Sequence, residues 1–246
     1  MRAPLPHALL VLAMSPLMCM AGATQEWQPI AVKEFIAAKR SSDALYAGLV
    51  RYEMKVRMIS YRSWDDAVPL ERVEASVRRA ADRFRSEVGG IVTLQDKRIR
   101  VIYDPEEGRL FAADPVELAD AWALGAVDHI LNAVASCFKR IGAGSVEYKL
   151  VFAQGAVYDH TIVRYDTQGW LRSTSTIWRQ SIAEDPGQPM SPVYRPRLDV
   201  EYGTPRPLEA DMVEPDPWQF VRETPVGLSA VGQWKGAEVI DSRFRP

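Results

Sequence analysis

Few residues in this 246-residue chain have the type and spacing that bond-making chemistry needs. His160 follows Asp159, and a carboxylate that orients an imidazole is the usual core of a general-base unit. Neighbouring strand residues point to opposite faces, so these two are not expected to form such a pair. His129 lies near Asn132 and Ser136 on the polar side of a predicted helix, where plain solvation is the expected state. Cys137 sits beside that helix's apolar stripe with no local histidine, which predicts a buried, inert thiol. No zinc-ligand spacing and no calcium-loop spacing occurs. Gly142-Ala143-Gly144 ends a predicted helix instead of opening one and lacks the third glycine of a dinucleotide loop. Asp65-Asp66 and Glu106-Glu107 are explained by solvated turns. These residues predict no enzyme activity, no cofactor and no metal.

Charge and the first residues narrow the classes further. With 30 Lys and Arg against 32 Asp and Glu, the net charge of −2 leaves no basic stripe for nucleic acid. Arg2, the apolar run Ala8 to Met20, and Ala21-Gly22-Ala23 read as a signal peptide cleaved near Ala23. The expected product is a single domain over residues 24–246, periplasmic or secreted. It has no transmembrane segment, since no later apolar run is long enough to span a bilayer. One cysteine, Cys137, remains beyond the leader, so the chain must be stabilised by packing without an internal disulfide.

The elements that must position these side chains follow from periodicity. Val50, Tyr52, Met54, Val56 and Met58 alternate with Arg51, Glu53, Lys55 and Arg57, which predicts a strand with one buried and one solvated face. Glu26 to Arg40 reads as a short helix with Pro29 in its first turn, interrupted at Ser41-Ser42-Asp43. Across 70–88, Leu70, Val73, Val77, Ala80, Phe84 and Val88 recur at helical spacing. Val73, Ala75 and Val77 also alternate as a strand would. Periodicity alone favours the helix. Ile91 to Leu94, Arg98 to Tyr103 and Arg109 to Ala113 read as short strands joined by turns, with Asp104-Pro105-Glu106-Glu107-Gly108 the strongest turn. A long helix is predicted over about Val116 to Ile141, its stripe running through Ile130, Val134 and Phe138. Strands are expected again at 146–152, 157–165 and 170–179. Eight of the 17 prolines fall between Asp185 and Pro217. The short apolar run Leu198, Val200, Tyr202 between two proline clusters is expected to be an edge strand or to flank a long loop.

Seven tryptophans and the methionines Met54 and Met58 supply a large apolar content. This content fits either an ordinary filled core or an inner surface that leaves room for an apolar ligand. At this point local text becomes informative. The run 52–61, YEMKVRMISY, resembles the opening strand of the periplasmic lipoprotein carrier and sorting superfamily (LolA-like). Residues 85–115 resemble its successive short strands, 160–178 (HTIVRYDTQGWLRSTSTIW) its later hairpin, and 236–244 (GAEVIDSRF) its closing strand.

The resemblance implies an α+β fold: an unclosed antiparallel β-barrel, or half-barrel, with the long helix and the short N-terminal helix packed in its concavity. It also implies that 70–88 is two strands turning at Ala80-Ala81-Asp82. The family shelters acyl chains, so the expected partner is a lipid or lipoprotein acyl group. The expected concave lining is Tyr52, Met54, Val56 and Met58, with Val101, Tyr103 and Phe111 from neighbouring strands. Ile130, Val134 and Phe138 would form the lid. The second expectation is an envelope protein-interaction module with a filled core, whose partner is another envelope protein.

Overall fold

In the computed structural model, residues 26–116, 131–183, 193–209 and 216–243 are described. Strand β1 (Gln28–Ile30) precedes helix α1 (Val32–Gly48), and a meander follows: β2 (Arg51–Tyr61), β3 (Glu71–Ala80), β4 (Arg83–Val88), β5 (Ile91–Gln95), β6 (Arg100–Asp104) and β7 (Arg109–Ala113). A second run holds β8 (Val134–Gly142), β9 (Ser145–Phe152), β10 (Tyr158–Asp166) and β11 (Leu171–Trp178). After a small ribbon of β12 (Ile182–Ala183) and β13 (Val193–Tyr194) come β14 (Arg197–Tyr202) and β15 (Arg206–Pro207). The chain closes with β16 (Val221–Thr224), β17 (Gly227–Ala230) and β18 (Glu238–Asp241).

The main sheet runs β1-β8-β9-β10-β11-β14-β2-β3-β4-β5-β6-β7-β18, with β15 paired to β2. Its ends, β1 and β18, do not pair, so the sheet is open. Every pairing in it is antiparallel except that of β18 with β7. Residues 71–88 are the hairpin that the resemblance implies, turning at Ala81-Asp82. The helical spacing there is overridden because each strand gains a full ladder of partners, Met54 opposite Val77 among them. Gly89 and Gly90 take φ of 57° and 88°, the backbone a two-residue hairpin requires.

Three expectations are corrected. Residues 134–142 are strand β8, not helix; the predicted lid residues Val134 and Phe138 therefore lie on the sheet, while Ile130, with residues 117–130, falls outside the described residues. The β14 strand is central, between β11 and β2, because its prolines stand outside Arg197–Tyr202 and leave its ladder intact. The N-terminal helix starts at Val32 with no side-chain cap and runs on through Ser41-Ser42-Asp43 to Gly48, while Pro29 lies in β1.

Directly opposed residues of an antiparallel pair share a face. Following them across the sheet assigns every core residue to a side. The inner face, the one carrying α1, holds Tyr52, Met54, Val56, Val77, Phe84, Tyr148, Leu150, Val163, Tyr165 and Tyr202, packed with Phe35 and Tyr46 of the helix. At β5 the buried parity moves to the other side of the sheet. There Val92, Leu94, Val101, Leu110 and Ala112 form a second core beneath residues 216–241, anchored by Val221 and Trp234.

Beyond that second core the outer face carries charge ladders. Arg140, Glu147 and Arg164 stand opposite one another on β8, β9 and β10, and Glu147 is 5% exposed while ion-paired to both arginines. Burial pushes the Glu147 carboxyl upward, but the two guanidiniums outweigh it and hold the group below its usual range. A depressed carboxylate contributes stability above its unfolded pKa and loses it as pH falls through the folded value. Glu147→Gln should therefore lower stability at pH 7 and flatten the loss between about pH 5 and pH 3. Urea melts of both proteins across that range check this; parallel curves would contradict it.

The inner face as a candidate binding surface

Cross-strand rows give the site its geometry. One row on the inner face reads Met54, Val77, Ser86, Thr93, Ile102 and Phe111, each directly opposite the next from β2 to β7. Its first two members are buried beneath the α1-packed core, whereas Ser86, Thr93, Ile102 and Phe111 are half-buried. Ile102 and Phe111 belong to neither of the two cores. From Ser86 to Phe111 the row crosses three inter-strand spacings, about 14 Å.

Under α1 a small void of about 10 Å³ lies among Phe35, Ser42, Val163, Tyr165, Leu171 and Thr174. Burial raises the phenol pKa values of Tyr46, Tyr52, Tyr148 and Tyr165, and that of Tyr202 to about 12, so these rings stay neutral. Outside the core, a surface cleft of about 340 Å³ lies along Glu53, Lys55, Ser76, Arg78, Gly203 and Arg206.

The expected lining is only partly brought together. Tyr52, Met54, Val56 and Met58 share the inner face, and Phe111 lies on the same side. Val134 packs against that core from β8, but Phe138 stands opposite Lys149 on the outer face. Val101 and Tyr103 point the other way, into the second core, where Tyr103 stacks on Trp234 at 4.7 Å. The sequence reasoning missed Ile102 and the row it completes. The run Val101, Ile102, Tyr103 carries apolar residues on both faces and so hid which side would be covered.

The chemistry-bearing residues also find their places. His160 Nδ1 does meet Asp159 Oδ2, at 2.9 Å. A register shift between Tyr158 and His160 marks a bulge that puts the two neighbours within reach, which simple alternation excludes. Burial pulls the His160 pKa down, and Asp159 is shared with Arg179 and Arg195 at 3.5 and 3.6 Å. Among the described residues no hydroxyl or thiol is hydrogen-bonded to the imidazole. Cys137 is buried on β8 with its thiol pushed up to about 11, which keeps it an unreactive thiol. Among the described residues no group of three metal-ligating side chains comes together, and no helix is long and apolar enough to cross a membrane.

These features define a class: an open, antiparallel-dominated sheet with one helix on its inner face and an apolar row running out beyond that helix. No protein-family profile matches the chain, and no curated protein matches it by sequence. Among solved structures it is similar to a LolA superfamily protein from Nitrosomonas europaea, at 10% identity over 71% of this chain and 93% of that one, with a TM-score of 0.31. It is also similar to the lipoprotein LppX of Mycobacterium tuberculosis, at 10% identity, 74% and 100% coverage and a TM-score of 0.40. A DUF1329 family protein from Desulfovibrio piger is similar at 6% identity, 72% and 94% coverage and a TM-score of 0.32. The superfamily that the local sequence text resembles is thus represented among these structures.

Proposed function

We propose that the protein is an exported, non-enzymatic binding protein that holds an acyl chain of a lipid or lipoprotein against its inner face. It would work in the periplasm or outside the cell, after cleavage near Ala23, as a single domain. One observation carries this reading: at the end of the half-buried row Ser86, Thr93, Ile102, Phe111, the apolar Ile102 and Phe111 lie on the inner face outside both cores. Sheltering an acyl chain is worth about 0.8 kcal/mol for each methylene removed from water, so a row of this length is enough for useful affinity.

Organic extraction of the purified protein followed by lipid mass spectrometry, with uptake of a fluorescent fatty acid, tests the proposal. Phe111→Glu places a charge in the row and should weaken uptake at least about tenfold, since an unpaired buried charge costs several kcal/mol. Co-purifying lipid and a weakened Phe111→Glu variant are the expected results. No lipid and no uptake would favour a second reading, an envelope protein-interaction module. That reading has its own support in the close packing of Phe35 and Tyr46 of α1 on the sheet.

A further inference from the structure

Two residues along the strands from the row Ser86 to Phe111 lies a different one. Tyr52, Arg79, Phe84, Gln95, Arg100 and Ala113 stand opposite each other in turn on the same inner face. Same-face neighbours along a strand are about 7 Å apart, so this row borders the acyl row directly. It is also the rim of the sheet, next to the turns at Ala81-Asp82 and Asp96 to Arg98.

The two cations in it differ. Arg79 donates through Nε to the Ala81 carbonyl at 3.3 Å. Arg100 is half-buried, and its Nε is shut off from water with no hydrogen-bond partner. No carboxylate pairs with Arg100 among the described residues. Elsewhere on the sheet, Arg57, Arg109, Arg140 and Arg164 each have a carboxylate. Its row neighbour Gln95, 2% exposed, is engaged with Val116 instead, donating to its carbonyl at 2.7 Å and accepting from its N–H at 3.2 Å. A buried guanidinium nitrogen without an acceptor is costly unless an anion arrives to use it.

We propose that Arg100 receives the anionic head group, a carboxylate or phosphate oxygen, of an amphiphile whose chain lies along Thr93, Ile102 and Phe111. This rests on the acyl-binding reading and adds to it a ligand class: anionic, not neutral, acyl amphiphiles. The chain would lie across Ile102 and Phe111, and the charged end would stay at the rim of the sheet.

The test is a displacement titration of the purified full-length protein with hexadecanoate, its methyl ester and hexadecyl phosphate. Both anionic ligands should bind about ten- to a hundredfold more tightly than the ester, the range of a charge-assisted hydrogen bond. Arg100→Gln should erase most of that preference while leaving ester affinity within about twofold, and Arg100→Lys should retain most of it. Arg79→Gln should change it by no more than about threefold, because the Arg79 Nε is already engaged by the Ala81 carbonyl. Inorganic phosphate alone at the same concentration should displace nothing. Displacement by it would mean a free-anion site and overturn the head-group assignment. Equal binding of acid and ester by the unsubstituted protein would overturn the inference without any variant, and so would a preference that survives Arg100→Gln. Failure of all three amphiphiles to bind would instead remove the acyl reading beneath it.

Discussion

Phe35→Ala should cost about 3–5 kcal/mol of unfolding free energy, the range for emptying an aromatic site in a packed core. Phe35 is 0% exposed and meets Tyr148 edge to face at 5.4 Å. With Ser42 and Tyr46 it forms the buried stripe of α1, at spacings of seven and four. The helix has 17 residues and no side-chain N-cap, so little but this stripe keeps it formed. Tyr46 adds an edge contact to Trp170 at 5.0 Å, but it cannot replace the ring that plugs the sheet. Against a total stability of about 5–15 kcal/mol the loss is large. A guanidinium melt measures it, and a shift below about 1 kcal/mol would mean that α1 is not what closes the inner core. The acyl reading adds a second readout. Loosening α1 should change fatty-acid affinity in the protein that remains folded, because the helix packs the same face.

Trp234→Ala is expected to cost a similar amount, about 3–5 kcal/mol, from the opposite side of the sheet. Its ring is 4% exposed, stacked on Tyr103 at 4.7 Å and tilted against Phe220 at 4.3 Å. Removing it opens the layer of residues 216–241, which is otherwise tied to the sheet by the β18–β7 ladder and by several side-chain bonds. One is Trp218 Nε1 donating to Asp96 Oδ2 at 2.7 Å, with Arg98 stacked over the same ring at 4.6 Å. The second core shares no residue with the first. The two substitutions should therefore add to within about 0.5 kcal/mol in the double variant. Fatty-acid affinity should stay unchanged in Trp234→Ala and shift in Phe35→Ala. A double variant far from additive would show that the two layers are coupled through the strands between them.

What the sequence carried by itself is visible in β2. Its alternation put Tyr52, Met54 and Val56 on one face and Glu53, Lys55 and Arg57 on the other, and the folded strand buries that set. Alternation is a property of the extended backbone, so it survives whatever surrounds it. The same holds for turns whose chemistry is local, as at Asp104, whose carboxylate accepts from the Glu106 and Glu107 amides at 2.9 and 3.3 Å.

The misreadings come from pairing that no single segment records. Val134, Phe138 and Ile141 are spaced as a helix stripe, but β8 pairs with β9 and puts Phe138 on the face opposite Val134 and Ile141. The bulge at Tyr158 to His160 likewise brought Asp159 and His160 together against the parity rule. Bulges are settled by partner strands, and no single segment records them. The candidate site was legible only in its first strand for the same reason. Val101 and Ile102 are adjacent and equally apolar, and nothing local says which will face the helix side. That choice fell to residues 216–241, more than a hundred positions away, which cover Val101 and leave Ile102 to the inner face. The sequence alone determined that each strand would have two unlike faces; only the tertiary structure decided which face would be covered, because coverage is a contact between distant segments and not a property of either one.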